Sequence, residues 1–347
     1  MSAEVSSWVA STAAAVDANE SPASQILAHL AQLGLLDLDI DAVVAGTSRD
    51  VTASADLIAD VAEECVSQAF SLWAHRMVLE YVARGQRSDR SESLLADLRA
   101  GRRVGSTAMA AGLKHLAGIS DLEIAAERIP GGWSLTGRIP WASNLMPGSV
   151  FVLPAQTAAG AALVAWADTD AEGVLVRPAT GLLALDATAS GFVQLDGLRI
   201  ADDQVLSHDL AGFARGFRPT FLVLQTAFCA GLIRRSLQES RALLNRSENR
   251  AFQEDFQELV TQVDQFLATW RELARDITQS HPVPYLKLRL EATGLAGRVT
   301  RLEATLAGGR GYQTATGASR RFREAAFLPV QSPSEGQLRW ELASLAS

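Results

Sequence analysis

The chain has 347 residues, 48% of them apolar and 20% charged, with 31 basic side chains against 39 acidic ones and a net charge of −8. An apolar fraction of that size excludes a disordered chain or a disulfide-stapled miniature fold, and the length sets a prior of one large multilayer fold or two to three domains. No block of Lys and Arg supplies the phosphate-neutralising surface that nucleic acid or an anionic membrane would need.

The first 20 residues are rich in Ala and Ser, lack the basic start of a secretory signal, and are expected to be partly disordered. From Ser21 to about Ala100, apolar residues recur at helical spacing in ASQILAHLAQLGLL, ASADLIADVAEECVSQAFSLWAHRMVLEYVARG and SESLLADLRAG, which predicts three or four helices. Around Gly105 the text changes. Short β-prone runs up to about Ser207 (LEIAAERIP, WSLTGRIPWA, SVFVLPAQ, ALVAWAD, GVLVRPA, FVQLDGLRI) are separated by Gly and Pro turns with no helical pattern between them, which predicts an antiparallel sandwich or barrel. From His208 long helical runs return. The fold class is therefore α+β: residues 1–104 an N-terminal helical domain, 105–207 a middle β domain and 208–347 a C-terminal helical bundle. The longest apolar stretch, Phe221 to Leu232, is too short for a bilayer and reads as a buried core helix. Cys65 and Cys229 sit in apolar runs where a reduced, buried thiol is usual, so the expected compartment is the cytoplasm.

The search for chemistry removes most common readings. The histidines at 29, 75, 115, 208 and 281 never fall at metal-ligand spacing from one another or beside a Cys, so no metal site is expected. Neither G-x-x-x-x-G-K-[ST] nor G-x-S-x-G occurs, and the Gly-Gly pairs at 131 and 308 do not lie in a βαβ unit. Three weaker constellations remain. Gly105-Ser106-Thr107-Ala108 opens the β segment and is equally a plain turn. The hairpin from Gly132 to Asn144 carries Trp133 and Trp141, which suit a core as well as a cofactor. Leu306-Ala307-Gly308-Gly309-Arg310-Gly311-Tyr312 has more glycines than a helix cap requires, which suggests that another group approaches the backbone.

In their order along the chain, the Thr-bearing turn, the G-[WY]-x-L-x-G-x-x-x-W-x-[ST]-N hairpin, Leu195-Asp196-Gly197-Leu198-Arg199-Ile200, the G-G-x-G-Y turn and Arg323-Glu324-Ala325 resemble the acyl-CoA dehydrogenase family of flavoproteins over almost the whole chain. The resemblance implies an N-terminal helical domain, a middle β domain and a C-terminal four-helix bundle, assembled as dimers or tetramers, with FAD held between bundle and β domain. By position, Thr107, Trp141 and Ser143 match residues around the flavin ring, with Ser143 near its N5 edge. Arg246, counted back from Gln257, matches an Arg that pairs with the FAD of a neighbouring subunit, a task that suits its bidentate fork, and it reads equally as a solvated helix-end charge. Gly308 and Gly309 match backbone that approaches the dinucleotide of the partner chain.

The departures bear on the reaction. Removal of an α-proton needs a carboxylate base, which the family places nine residues after the Arg of its R-D-A run; here that position is Ser332. A second location used by some members falls near Thr220 and Phe221, so Glu335 is the remaining candidate for the base. The Thr-Glu-Pro run of the family reads Thr107-Ala108-Met109, and its Gly-Ser-Asp reads Gly112-Leu113-Lys114. Three functions follow as expectations. The first is an FAD-dependent oxidoreductase of lipid metabolism that oxidises an acyl-CoA or related thioester at Cα–Cβ. The second is a flavin monooxygenase or oxidase on the same fold, using Ser143 with His75 or His115. The third is a catalytically incomplete subunit that pairs with a complete homologue.

Overall fold

The computed structural model describes residues 3–277 and 281–346. Six helices come first: α1 (Ala3–Asp17), α2 (Gln25–Gln32), α3 (Ile40–Val44), α4 (Thr52–Glu64), α5 (Val66–Arg84) and α6 (Asp89–Arg99). The expectation of a partly disordered start is corrected here, because α1 buries Val5, Val9, Ala13 and Val16, one apolar stripe at helical spacing. The single long run read from residue 53 to 85 is two helices. Cys65 breaks it with an extended backbone, φ −158° and ψ 111°. Beyond the break, every residue of α5 from Val66 to Val82 is buried, which makes it the central helix of the molecule.

The middle segment holds β1 (Gly105–Thr107), α7 (Ala110–Leu116), β2 (Ala125–Ile129), β3 (Gly132–Ala142), β4 (Val150–Thr157), β5 (Ala162–Asp168), β6 (Val174–Pro178), β7 (Gly191–Ala201) and β8 (Val205–Ser207). They form one sheet in the order β6-β7-β3-β2-β4-β5-β8, with β1 added beside β4. Most pairings are antiparallel, as the turn-rich sequence predicts, but β4 runs parallel to both β1 and β2. The short helix α7, for which the sequence offered no periodic signal, makes that parallel step possible by carrying the chain back between β1 and β2.

Strand β4 reads as a continuous apolar run because it is buried on both faces. Val150 and Val152 belong to the core shared with the helices, whereas Phe151 and Leu153 point into a second core enclosed by the sheet with Leu135, Leu163, Leu195 and Ile200. The C-terminal part contains α8 (Leu210–Leu243), α9 (Gln253–Arg275), α10 (Val283–Ala307), α11 (Gly317–Phe327) and α12 (Glu335–Ser344). Helix α8 packs on α4, α5, α9 and α10. It is the one described helix long and apolar enough to cross a membrane, yet 83% of its most apolar window is buried inside the protein, as expected of a core helix.

Candidate functional site

A cavity of about 600 Å³ opens where the sheet meets the helices. Phe70 and Trp73 of α5, Phe221 of α8 and Phe327 of α11 give it an aromatic wall. Those rings pack edge to face, Trp73 at 5.0 Å from Phe221 and Phe70 at 5.2 Å from Phe327, so the wall is a preformed surface. The opposite side comes from the end of β3 and from β1, with Trp141, Ser143 and Thr107. Leu183 to Leu185, Ser190, Arg323 and the segment from Val330 to Ser332 complete the outline.

Each of the β-side residues is held by a specific contact. Trp141 is half exposed, with its ring 4.8 Å from Phe192. Thr107 Oγ1 shares a 3.1 Å hydrogen bond with the hydroxyl of Tyr81, whose pKa burial raises. Ser143 begins a chain of three hydroxyls: it lies 2.6 Å from Ser190 Oγ, which lies 2.7 Å from Thr188 Oγ1. Thr188 donates to the carbonyl of Leu185 at 2.7 Å. That last bond sets the direction of the whole chain. With its proton on Leu185, Thr188 can only accept from Ser190, Ser190 can only accept from Ser143, and Ser143 is left with acceptor lone pairs for the cavity.

Asn144 locks this arrangement in place. Its φ of 62° is a left-handed conformation that Asn tolerates better than most residues. Its Nδ2 donates to the carbonyls of Ser71 and Gly105, and its Oδ1 accepts from Ser71 Oγ at 2.6 Å. Sequence reasoning included Asn144 in the hairpin motif without giving it a role, and it passed over Thr188 and Ser190, which an ordinary Ala-Thr-Ala-Ser run hid.

The remaining predicted residues divide. Ser332 borders the cavity, and its Oγ is buried without a hydrogen-bond partner among the described residues. Glu335 does not border it: the residue opens α12 and pairs with Arg339, four residues on, which corrects its assignment as the base. His75 is likewise corrected. It is fully buried away from the cavity, where Nδ1 accepts from Gly105 N–H at 3.0 Å and Nε2 sits 3.1 Å from the carbonyl of Leu98. Burial lowers its pKa to about 4, so it is a neutral strut. His115, on α7, also lies outside the cavity lining.

Arg246, Gly308 and Gly309 stand at the other end of α8. From Phe221 to the last residue of that helix is 22 residues, about 33 Å at 1.5 Å per residue. The structure does bring their two segments together, because Asn249 Nδ2 donates to the carbonyl of Leu306 at 3.0 Å, and also to that of Leu243. Arg246 is exposed there, and a Cβ built on Gly308 or Gly309 would meet nothing within 4 Å. Arg323 instead reaches the cavity edge, tied to Asp17 of α1 at 2.7 and 3.0 Å and to the carbonyl of Leu183.

Comparison with solved structures places this geometry. Butyryl-CoA dehydrogenase from Megasphaera elsdenii superposes with a TM-score of 0.87 at 14% identity, covering 99% of this chain and 96% of that one. The chain has the acyl-CoA dehydrogenase fold. A glutaryl-CoA dehydrogenase from Mycobacterium smegmatis in complex with FADH2 matches at a TM-score of 0.86 and 16% identity, with 99% and 94% of the two chains covered. The prolyl acyl carrier protein oxidase AnaB shares the acyl-CoA dehydrogenase fold with a TM-score of 0.85 and 16% identity, over 99% and 98%. No protein-family description and no curated protein matches the sequence. At identities this low the resemblance is one of architecture, so chemistry has to be argued from the cavity.

Proposed function

We propose that the chain is a FAD-binding oxidoreductase acting on an apolar, acyl-thioester-like substrate held in this cavity. The lining fits such a pair of occupants. Trp141, Thr107 and Ser143 offer one aromatic face and two hydroxyls to a flat, polar-edged ring system, and the aromatic wall of Phe70, Trp73, Phe221 and Phe327 suits an acyl chain. FAD, when bound, supplies a two-electron acceptor. Similarity in fold to an acyl-CoA dehydrogenase in complex with FADH2 supports that cofactor.

The observation that supports one reaction over another is the placement of carboxylates. Oxidation at Cα–Cβ requires a base within hydrogen-bond reach of the α-proton. The carboxylates that border the cavity, Asp121 and Glu123, are exposed, Glu123 lies 3.5 Å from Arg138, and Glu335 is outside. Position 332 offers a hydroxyl. The reading supported best is therefore a monooxygenase on the acyl-CoA dehydrogenase fold, whose chemistry with reduced flavin and oxygen removes no α-proton and so needs no carboxylate base, and Ser143 as an acceptor suits a cofactor that arrives reduced. Self-association into a dimer or tetramer belongs to the same proposal. It would bring a second chain, identical or homologous, to the bare surface around Arg246, Gly308 and Gly309.

The test is a visible spectrum of the FAD-treated protein, recorded alone and then anaerobically with a panel of acyl-CoAs, followed by oxygen consumption with chemically reduced flavin. Bound flavin that no thioester bleaches, with oxygen uptake after reduction, is the expected outcome. Bleaching by a thioester would restore Cα–Cβ oxidation as the function. Absence of bound flavin would leave the incomplete-subunit reading. In either enzymatic case Glu335→Gln is expected to leave turnover unchanged.

A further inference from the structure

Arg289, on α10, is completely buried. Its five N–H groups are all engaged: Nε donates to Gln225 Oε1 at 3.0 Å, Nη1 to Thr293 Oγ1 and Cys229 Sγ, and Nη2 to the carbonyl of Leu328 at 2.9 Å and to Gln331 Oε1 at 3.1 Å. Every one of these acceptors is neutral. The contrast with the other deeply buried arginines is plain, since Arg76 is paired with Glu80 and Arg321 with Glu303. A buried cation without a carboxylate is costly and calls for a reason.

The direction in which Arg289 spends its bonds supplies one. It grips the segment that edges the cavity at Leu328 and Gln331, and Gln225 extends the grip by donating its Nε2 to the carbonyl of Ser332 at 2.8 Å. Because Oε1 of Gln331 accepts from Arg289, the group this side chain has left for hydrogen bonding is its NH2, and Gln331 lines the cavity. Beside it stands the hydroxyl of Ser332, buried and without a partner among the described residues. This edge therefore carries two neutral donors, with a positive charge one residue behind them. The aromatic rings of Phe221 and Phe327 border the same cavity.

We propose that the Gln331–Ser332 edge is an oxyanion subsite. It takes the carboxylate of a ligand whose apolar chain lies along the aromatic wall, so the cavity selects an acyl chain carrying a free carboxylate over a neutral chain of the same length. Hydrogen bonds to a charged acceptor are stronger than those to a neutral one, and the charge of Arg289 strengthens them further through the Gln331 amide. The inference rests on the cavity being the ligand site of the proposed function, but it makes its own demand on binding.

The experiment is calorimetric titration of the FAD-treated protein with octanoate and, separately, with octanamide, with flavin content read from absorbance in the same samples. Octanoate is expected to bind about tenfold more tightly than octanamide. Ser332→Ala and Gln331→Met should each erase about that factor for octanoate and leave octanamide unmoved. Equal affinity of the two probes for the wild type, no binding of octanoate, or an equal loss for both probes in the variants would overturn the subsite and leave Arg289 a structural tether. Missing flavin with preserved carboxylate selectivity would instead break the oxidoreductase reading alone.

Discussion

Asn144 spends every polar atom of its side chain on Ser71 and Gly105, while Arg246 stands exposed at the end of the bundle and enters no ion pair among the described residues. Both belong to motifs that the sequence singled out. Around Asn144, the chain builds the geometry itself: Ser143, Ser190 and Thr188 form a directed hydroxyl chain, and His75 braces Gly105 from the other side. Around Arg246, Gly308 and Gly309 it leaves room, and Tyr312 beside them is 93% exposed. The contrast teaches that polar groups closed upon one another define a site from within, whereas an open motif takes its meaning from whatever is brought to it.

The sharpest way to break that contrast is Asn144→Ala, which strips two buried carbonyls and one hydroxyl of their partner and leaves an Ala at positive φ. A loss of about 3 to 5 kcal/mol is expected in urea unfolding. Acid comes next. His75 is held neutral with its pKa near 4 in the folded protein against 6.5 unfolded, so the unfolded chain takes up the proton first. Its contribution is present above pH 6.5 and is lost as pH falls toward 4, roughly 3 kcal/mol in all.

Glu324 pulls the other way. It accepts from the Val66 N–H, and burial raises its pKa to about 7 from 4.5, so its contribution is greatest at low pH and declines between 4.5 and 7. Unfolding midpoints of wild type and Glu324→Gln across pH 4 to 8 separate the two. The variant retains the acid loss of His75, and the difference between the proteins carries the opposite slope.

Smaller effects sharpen the comparison. Gly308→Ala, at φ 61° and ψ −140° but in open space, should cost about 1 to 3 kcal/mol from backbone strain alone. Ser190→Ala opens the hydroxyl chain and should cost about 1 to 2 kcal/mol, measurable by thermal unfolding. Arg246→Ala should change the stability of the single chain by less than about 0.5 kcal/mol. Its effect belongs in sedimentation profiles, where a shift toward smaller species would show that this end meets a second chain.

Much of the architecture was legible because it rests on periodicity. The alternating burial at the start of β7 and the helical stripe of α9 follow from spacing alone, as does the order of helices, sheet and helices. What escaped had no periodic signature. The break at Cys65 hides inside an unbroken apolar run, and α1 was masked by an Ala/Ser composition that also suits a loose tail. Thr107, Trp141, Ser143 and Ser332 were singled out because they sit at motif positions, and all four border the cavity. Glu335 was chosen by proximity in sequence to Ser332, and the start of α12 turned it toward Arg339. Thr188, Ser190 and Arg289 act through partners 39 or more residues away, or through hydroxyls of common type, and one-dimensional spacing carries no trace of such pairing.

The buried helix α5 also has a consequence for how the protein comes into being. Its first amide is capped by Glu324, 258 residues further on, and Phe70 rests against Phe228 and Phe327. On a ribosome, all three emerge after α5, Phe228 with α8 and Glu324 and Phe327 only with α11. Helix α5 must therefore wait with its faces unsheltered until α11 has been made, so synthesis slowed or cut short before α11 should send the nascent protein to chaperones or into aggregates.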